Sequence, residues 1–273
     1  MSSFIGIDLG TQSVKVVLYD ETGHLLSLAQ RDYPLLTPQI GFAEQEPEVW
    51  WQQTFSALQE VIHSVSNRNI KAISFSGQMH GLVMLDKDYK PVCPAIIWAD
   101  QRSEKEVHFI REKLGSHLAS IAGSDIATGF MGASLCWVKN HHPDLYHKIR
   151  WVMLPKDYLK IKLGLMPSSD VADAASTLLF DIKTRNWSEE IMKELDLKPS
   201  LFPPIYESAH IIGSVPPSIQ KELDMTGDAL VIAGAGDQHC AALGNGVINE
   251  GEVLITIGTG GQVFTPIQKP IVD

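Results

Sequence analysis

Cysteine is scarce in this chain: three residues, Cys93, Cys136 and Cys240, among 273. They are odd in number, far apart and never in Cys-x-x-Cys spacing, which excludes a disulfide framework and a thiolate zinc site and points to reduced thiols in or near the core. Clusters of basic residues are also missing, since 22 Lys and Arg face 32 Asp and Glu, for a formal charge of -10 and an isoelectric point near 5.4. Nonspecific affinity for nucleic acid or an anionic membrane needs clustered cations, so both partners are set aside. No uncharged apolar run approaches the length that spans a bilayer. The N-terminus opens on a strand containing Asp8, not on a basic segment followed by an apolar one. A cytoplasmic location is the expectation. Ten histidines include one close pair, His141-His142, which precedes Pro143 with no Cys or carboxylate at ligand spacing, so no structural metal is expected. Repeats of solenoid period and low-complexity segments are absent.

What remains is a chain that is 44% hydrophobic and long enough to bury a core, as one large domain or two ordinary ones. A short apolar strand at 4–9 carries Asp8 near its end and runs through Gly10, Thr11, Gln12 and Ser13 into a second strand with Lys15. Such a turn gathers backbone N–H groups, hydroxyls and an ammonium around one anion. The same pieces recur at 254–264, with Gly258, Thr259 and Gly260 in the turn. Two such turns facing one another would hold the phosphates of a nucleotide.

A turn at 21–24 leads to a third strand at 25–31, completing an antiparallel meander. Glu46-Pro47-Glu48 opens a helix with Val49, Trp50, Phe55, Leu58, Val61 and Ile62 at helical spacing. Residues 71–76 read as a strand whose return is 82–85, with Gly77-Gln78-Met79-His80-Gly81 at the bend; 91–98 read as another strand, and Asp100 as the N-cap of the helix that follows. From about 103 to 225 the pattern is helical and loop-like, a helical insertion in the first domain. A strand at 228–233 then turns at Gly234-Ala235-Gly236 into an Ala-rich helix from Asp237. This is no dinucleotide fingerprint, because the third Gly of Gly-x-Gly-x-x-Gly falls at His239. On spacing alone Asp237 suits a helix N-cap as well as a general base, Lys15 a solvated strand position as well as a phosphate contact, and His80 simple exposure at a hairpin tip.

Asp8-Leu9-Gly10-Thr11, Gly77-Gln78-Met79-His80-Gly81, Trp98 to Arg102, Leu154-Pro155-Lys156-Asp157-Tyr158, Ser169-Asp170-Val171-Ala172-Asp173-Ala174, Gly236-Asp237 and Gly258-Thr259-Gly260 recur in that order. With them the chain resembles, along essentially its whole length, the FGGY family of carbohydrate kinases in the actin, Hsp70 and hexokinase superfamily. The Gln-Met-His-Gly segment resembles most the branch that phosphorylates xylulose. The resemblance implies an α/β fold: an RNase H-like, sugar-binding domain over 1–250 with its helical insertion at about 103–225, then 251–273 as the opening hairpin of a nucleotide-binding second domain. The sequence thus looks like the first half of a kinase, expected to be inactive or nearly so alone.

The implied reaction is in-line transfer of a phosphoryl group from ATP, with Mg2+, to the 5-hydroxyl of D-xylulose, Asp237 being the general base. By the same resemblance Met79, His80, Gln78, Trp98, Asp100, Arg102 and Gln238 meet the sugar, while Asp8, Thr11, Gln12, Lys15, Gly258, Thr259 and Gly260 hold ATP. Asp8 orients Mg2+ through water, as suits an ion that keeps its hydration shell. The implied partners are a small ketose and ATP; a homodimer and a separately supplied C-terminal half stay open. Ala99 and Gln238 stand where the family often has Asn, and Ser134 where Lys is usual; these departures bear on the choice of sugar, not on the reaction class. Two alternatives are kept: a non-catalytic half-kinase that binds sugar or a protein, and a kinase for another ketose or polyol.

Overall fold

Ile5, Ile7 and Leu9 are buried while the residues between them face the other way, the period of two that marks one covered face of a sheet. The computed structural model describes residues 2–257 and 261–271, so the expected phosphate turn at Gly258, Thr259 and Gly260 lies outside the described residues. Strands β1 (Ser3–Leu9), β2 (Ser13–Asp20) and β3 (Leu25–Asp32) form the expected antiparallel meander. Helix α1 (Pro47–His63) covers one face, with Trp50, Leu58, Val61 and Ile62 fully buried. Burying each of the three aliphatic side chains, Leu58, Val61 and Ile62, stabilises the fold by about 1.5–3 kcal/mol.

Strand β4 (Ile70–Gly77) runs parallel to β1, and the sheet is completed by β5 (Ile211–Ser214), β6 (Leu230–Ile232) and β7 (Ala235–Gly236) in the order β5-β6-β4-β1-β2-β3, with β7 also on β4. Both edges of β4 are therefore occupied. The expected return at 82–85 cannot pair there; Val83–Leu85 instead pairs antiparallel with Trp151–Met153. His80 accordingly sits on a crossing between two sheets, not at a hairpin tip. Of the strand expected at 91–98 only Ala95–Ile96 forms, paired with Glu44–Gln45, because Pro91 and Pro94 remove ladder donors.

Two cores result. One lies between the sheet and α1; the other gathers α2 (Glu104–Leu114), α3 (Met131–His141) and residues such as Val152, Ile191 and Phe202. The stretch 103–225 is divided between them, since α4 (Pro155–Lys162) buries Tyr158 and Leu159 in the first core and β5 joins its sheet. The chain then makes α5 (Val171–Ala174), α6 (Asp237–Gly244) and a separate two-stranded hairpin of β8 (Leu254–Ile257) and β9 (Gly261–Phe264), whose Ile255, Ile257 and Val263 are exposed. Among the described residues no helix is long and apolar enough to cross a membrane.

The turn that delivers α6 depends on Gly234, at φ 83°, where a Cβ would stand 2.2 Å from the Phe75 carbonyl oxygen. Both the left-handed backbone and the contact forbid a side chain. Gly234→Ala is expected to lower the unfolding free energy by about 2 kcal/mol or more, measured as a lower urea midpoint at unchanged m; an unaltered midpoint would contradict this account of the turn.

Candidate active site

The parallel strands end side by side. Asp8 is in register with Ser76 on β4 and with Lys15 on β2, while Ala235 of β7 faces Ser76 from the other side. Ligands of open α/β sheets gather outside such carboxyl ends. Ser76 Oγ donates to Asp8 Oδ1 at 2.8 Å. Asp237 is the first residue of α6; Gly236 occupies the cap and no side chain caps this helix, so the capping role that the spacing allowed is not the one used. Burial raises the Asp237 carboxyl above its usual range, the charge of Asp8 adds to the rise, and bonds from Gln238 oppose it. Two carboxylates are thus set close enough to feel one another. A cavity of about 300 Å³ on the Asp8 side is lined by Gly6, Ile7, Asp8, Lys15, Val17, Ser74, Phe75, Ser76 and Cys240, and Asp237 is not among its lining residues.

The turn after β1 has its carbonyl oxygens occupied one after another. Leu9 O accepts from Gln78 N at 2.8 Å, Gly10 O from the Tyr33 hydroxyl, Thr11 O from Gln45 Nε2 at 2.6 Å and Gln12 O from Tyr33 N at 3.1 Å. Among the described residues nothing accepts from the N–H of Thr11 or of Gln12. A turn with its acceptors filled and two amide donors free favours an anion. Trp98 Nε1 donates to Thr11 Oγ1 at 2.9 Å, and the indole is 48% exposed at the rim. Lys15 is exposed.

Met79 packs against Gly236, where a Cβ would meet its Cγ at 2.7 Å, so the sugar-type segment touches the turn that carries Asp237. Close approach also explains Gly77 and Gly81: Cβ atoms there would lie 2.9 Å from Lys156 Cβ and 2.8 Å from Pro155 Cγ. His80 adopts φ 69°; its ring stacks on Phe130 with centroids 4.1 Å apart, and Nδ1 donates to Ser176 O at 2.7 Å. Burial lowers the His80 pKa.

Other expected contacts are held behind this surface. Gln78 is 1% exposed, bonding Gln45 Oε1 at 2.9 Å. Asp100 does not cap α2, whose cap position is Ser103; its carboxylate, fully buried, takes bonds from Ala43 N at 2.7 Å and from Arg102. Arg102 also pairs with Glu44 at 2.7 Å and lies over the Phe42 ring. Asp100 and Arg102 therefore brace the loop that carries Gln45, which in turn holds the Thr11 carbonyl. Gln238 leaves Oε1 buried without a partner among the described residues, next to Asp237.

Sequence reasoning passed over a buried charge cluster. Lys156 Nζ contacts Asp157 at 2.8 Å, Asp170 at 2.5 Å and Asp173 at 3.1 Å, and Lys160 contacts Asp157 at 2.7 Å, all five side chains being fully buried. Lys160 also donates to Ala233 O, just before Gly234. Two ammonium groups face three carboxylates, one negative charge too many. Burial pushes Asp173 up to about 7; Lys156 opposes the rise, and Asp170 and Asp157 add to it. The available signal was four charged residues in two motifs, Lys156-Asp157 and Asp170 with Asp173, embedded in apolar sequence. Phe130 and Ser176 carried no signal at all.

Groups of three or more His, Cys, Asp or Glu fit to hold a metal are absent among the described residues. Asp8 and Asp237 fit Mg2+ only as an ion that keeps most of its water.

Residues 3–244 match the FGGY family of carbohydrate kinases, N-terminal domain. A xylulose kinase of Bacillus subtilis is 37% identical over 97% of this chain and 54% of its own length. Of solved structures, a ligand-bound xylulose kinase from Lactobacillus acidophilus matches all of this chain and 56% of its own with a TM-score of 0.94 at 25% identity. A gluconate kinase from the same organism reaches 0.91, over 97% of this chain and 54% of its own, also at 25% identity. The chain spans about half the length of the curated relatives it matches. The neighbours are sugar kinases of the actin, hexokinase and RNase H-like fold.

The buried cluster has a consequence for stability. Asp173 titrates near 4 when unfolded and at about 7 when folded, so between these values the folded state binds a proton that the unfolded state does not. Its contribution is full below pH 4 and is lost as pH rises towards 7. Asp173→Asn should remove that loss, making the variant more stable than the parent by on the order of 1–3 kcal/mol at pH 8 but not at pH 4; urea unfolding at both pH values measures it, and equal differences at the two would contradict the assignment.

Proposed function

The chain belongs to the FGGY family of carbohydrate kinases, and on that footing we propose that it carries the sugar-binding part, 1–250, of an enzyme that phosphorylates D-xylulose with ATP, with 251–273 opening a nucleotide-binding second domain. The observation that carries the reading is the approach of Asp8 and Asp237, at the ends of strands that flank β4, with Met79 packed on the very turn that delivers Asp237. A polyol chain laid along Met79 meets an acceptor at His80 Nε2 and the indole face of Trp98, while Gln238, whose Oε1 is buried, bonds Asp237 rather than the sugar. Its 5-hydroxyl then points to Asp237. Gln78, Asp100 and Arg102 act from behind, by holding the Thr11 turn in shape.

In the transfer step the 5-oxygen forms its bond to the γ-phosphorus as the bond to the ADP oxygen breaks, and the hydroxyl proton passes to an Asp237 oxygen. A raised carboxyl pKa makes this base better matched to a proton released late. The free N–H groups of Thr11 and Gln12, with Lys15 nearby, would bind phosphate oxygens. Mg2+, held through water by Asp8, would neutralise charge on those phosphates. A nucleotide-binding second domain, in the same chain or separately made, would hold the adenosine.

A second reading, a half-kinase that binds sugar without turnover, is favoured by the exposed apolar positions of the β8–β9 hairpin, which lack a core of their own. Calorimetric titration of this polypeptide with D-xylulose, then with ATP and Mg2+, alongside a coupled kinase assay, tests the sugar site common to both, and turnover once the chain is joined to a second half separates them. Sugar binding without turnover is expected, His80→Ala weakening it about tenfold or more. No heat with xylulose, ribulose or gluconate would overturn the sugar-site reading.

In the protein joined to a second half, Asp237→Asn should lower turnover by about 10²–10⁴-fold with little change in sugar affinity. Because the base must be ionised, turnover in the parent should fall as pH drops through the raised Asp237 pKa. Parent-like turnover in the variant would remove Asp237 from this role.

A further inference from the structure

His80 bonds through one ring nitrogen and leaves the other without a partner among the described residues, and the bonded partner decides which carries hydrogen. Ser176 O is a carbonyl and can only accept, so at 2.7 Å it requires hydrogen on Nδ1. Nε2 is then a lone pair, and among the described residues nothing bonds it. A neutral imidazole in this tautomer can accept from a sugar hydroxyl; the other tautomer, or imidazolium, cannot. The lowered pKa from burial supports the neutral form.

The carbonyl is itself held in place. Ser176 Oγ accepts from His80 N at 3.3 Å and donates to Asp173 O at 2.7 Å, so one hydroxyl ties the left-handed backbone of His80 to α5. Asp170 Oδ1 accepts from Ala172 N and Asp173 N at 3.0 Å, while its Oδ2 meets Lys156 at 2.5 Å. The Asp173 carboxylate reaches the same ammonium at 3.1 Å. Lys156 in turn packs beneath Gly77, where the segment bearing His80 begins. Both the residue that is held and the turn that holds it therefore rest on one buried ammonium.

We propose that Ser176 and Asp173 are positioning residues for sugar recognition, which fix His80 as its Nδ1–H tautomer and aim Nε2 at a hydroxyl of the polyol. The inference rests on the sugar-site reading above and adds what makes His80 selective for a hydroxyl donor. Without the Ser176 hydroxyl the His80 backbone loses its tether, and the ring is free to exchange tautomers and to rotate off Phe130.

The test uses this chain with 15N-labelled histidine. Ring-nitrogen shifts of His80 report tautomer and protonation without any sugar present, and calorimetry reports D-xylulose affinity. The parent should show hydrogen on Nδ1 and a pKa below that of an ordinary histidine. Ser176→Ala should show mixed tautomers, a His80 pKa moved up towards the ordinary value and about tenfold weaker sugar binding, with its urea midpoint near the parent's. Ser176→Thr, which keeps the hydroxyl, should restore the parent's ring signals. Asp173→Ala, which removes the contact with Lys156, gives a second route, expected to shift the same signals from a position that does not touch His80. Parent-like ring signals and affinity in both Ser176→Ala and Asp173→Ala would overturn the proposal. A parent that binds no xylulose would overturn the sugar-site reading instead, while the ring signals would still decide the positioning role.

Discussion

The buried ammonium of Lys156 is the constraint on which the site depends. An ion taken out of water must be compensated by partners at short range, and here the partners come from separate segments: Asp157 from its own helix, Asp170 and Asp173 from the turn around α5. Satisfying one charge therefore fixes α4, α5 and the Gly77 crossing relative to each other. Lys160 extends the same cluster to the carbonyl of Ala233, at the entrance of the turn that delivers Asp237. Packing alone would tolerate sliding among these segments; a set of charged hydrogen bonds does not.

The turn after β1, proposed to meet phosphate, is organised by the opposite tactic, with neutral groups. Four successive carbonyls from Leu9 to Gln12 are each given a donor, by Gln78, Tyr33 and Gln45. Their negative ends are thereby taken up before any anion arrives. The Asp100–Arg102 pair acts one layer further back, holding the loop that carries Gln45. Residues conspicuous for charge thus serve as supports, while among the described residues two amides, an imidazole nitrogen and an indole face are left to meet the proposed ligand.

The shared frame does not choose the sugar. A gluconate kinase superposes on this chain nearly as well as a xylulose kinase does, so on the proposed reading selectivity resides in side chains on the common strand ends. The short segment from Gln78 to Gly81, seated on Pro155 and against Gly236, is where such a choice can be made, because its neighbours leave it no freedom to repack.

Much of this was legible in the residues themselves. The alternation in β1, the helical spacing of Trp50, Leu58, Val61 and Ile62, and the Gly-Thr turn after Asp8 are local patterns, and local patterns follow from backbone geometry that neighbours in sequence determine. The motifs marked Asp237 and the Met79-His80 segment as candidates, and the structure adds that Met79 packs on the Gly236 turn. The sequence misled where an outcome depended on distant competition: 82–85 could not return onto β4 because β1, β6 and β7 already held its edges, and Asp100 was drawn from a helix cap to the buried Arg102 guanidinium. Phe130 and Ser176 were invisible because their importance lies wholly in what they touch 50 and 96 positions away. Sequence determined which groups could do the chemistry; tertiary structure decided which of them face the cleft, because burial and long-range pairing set the charge, tautomer and direction of each.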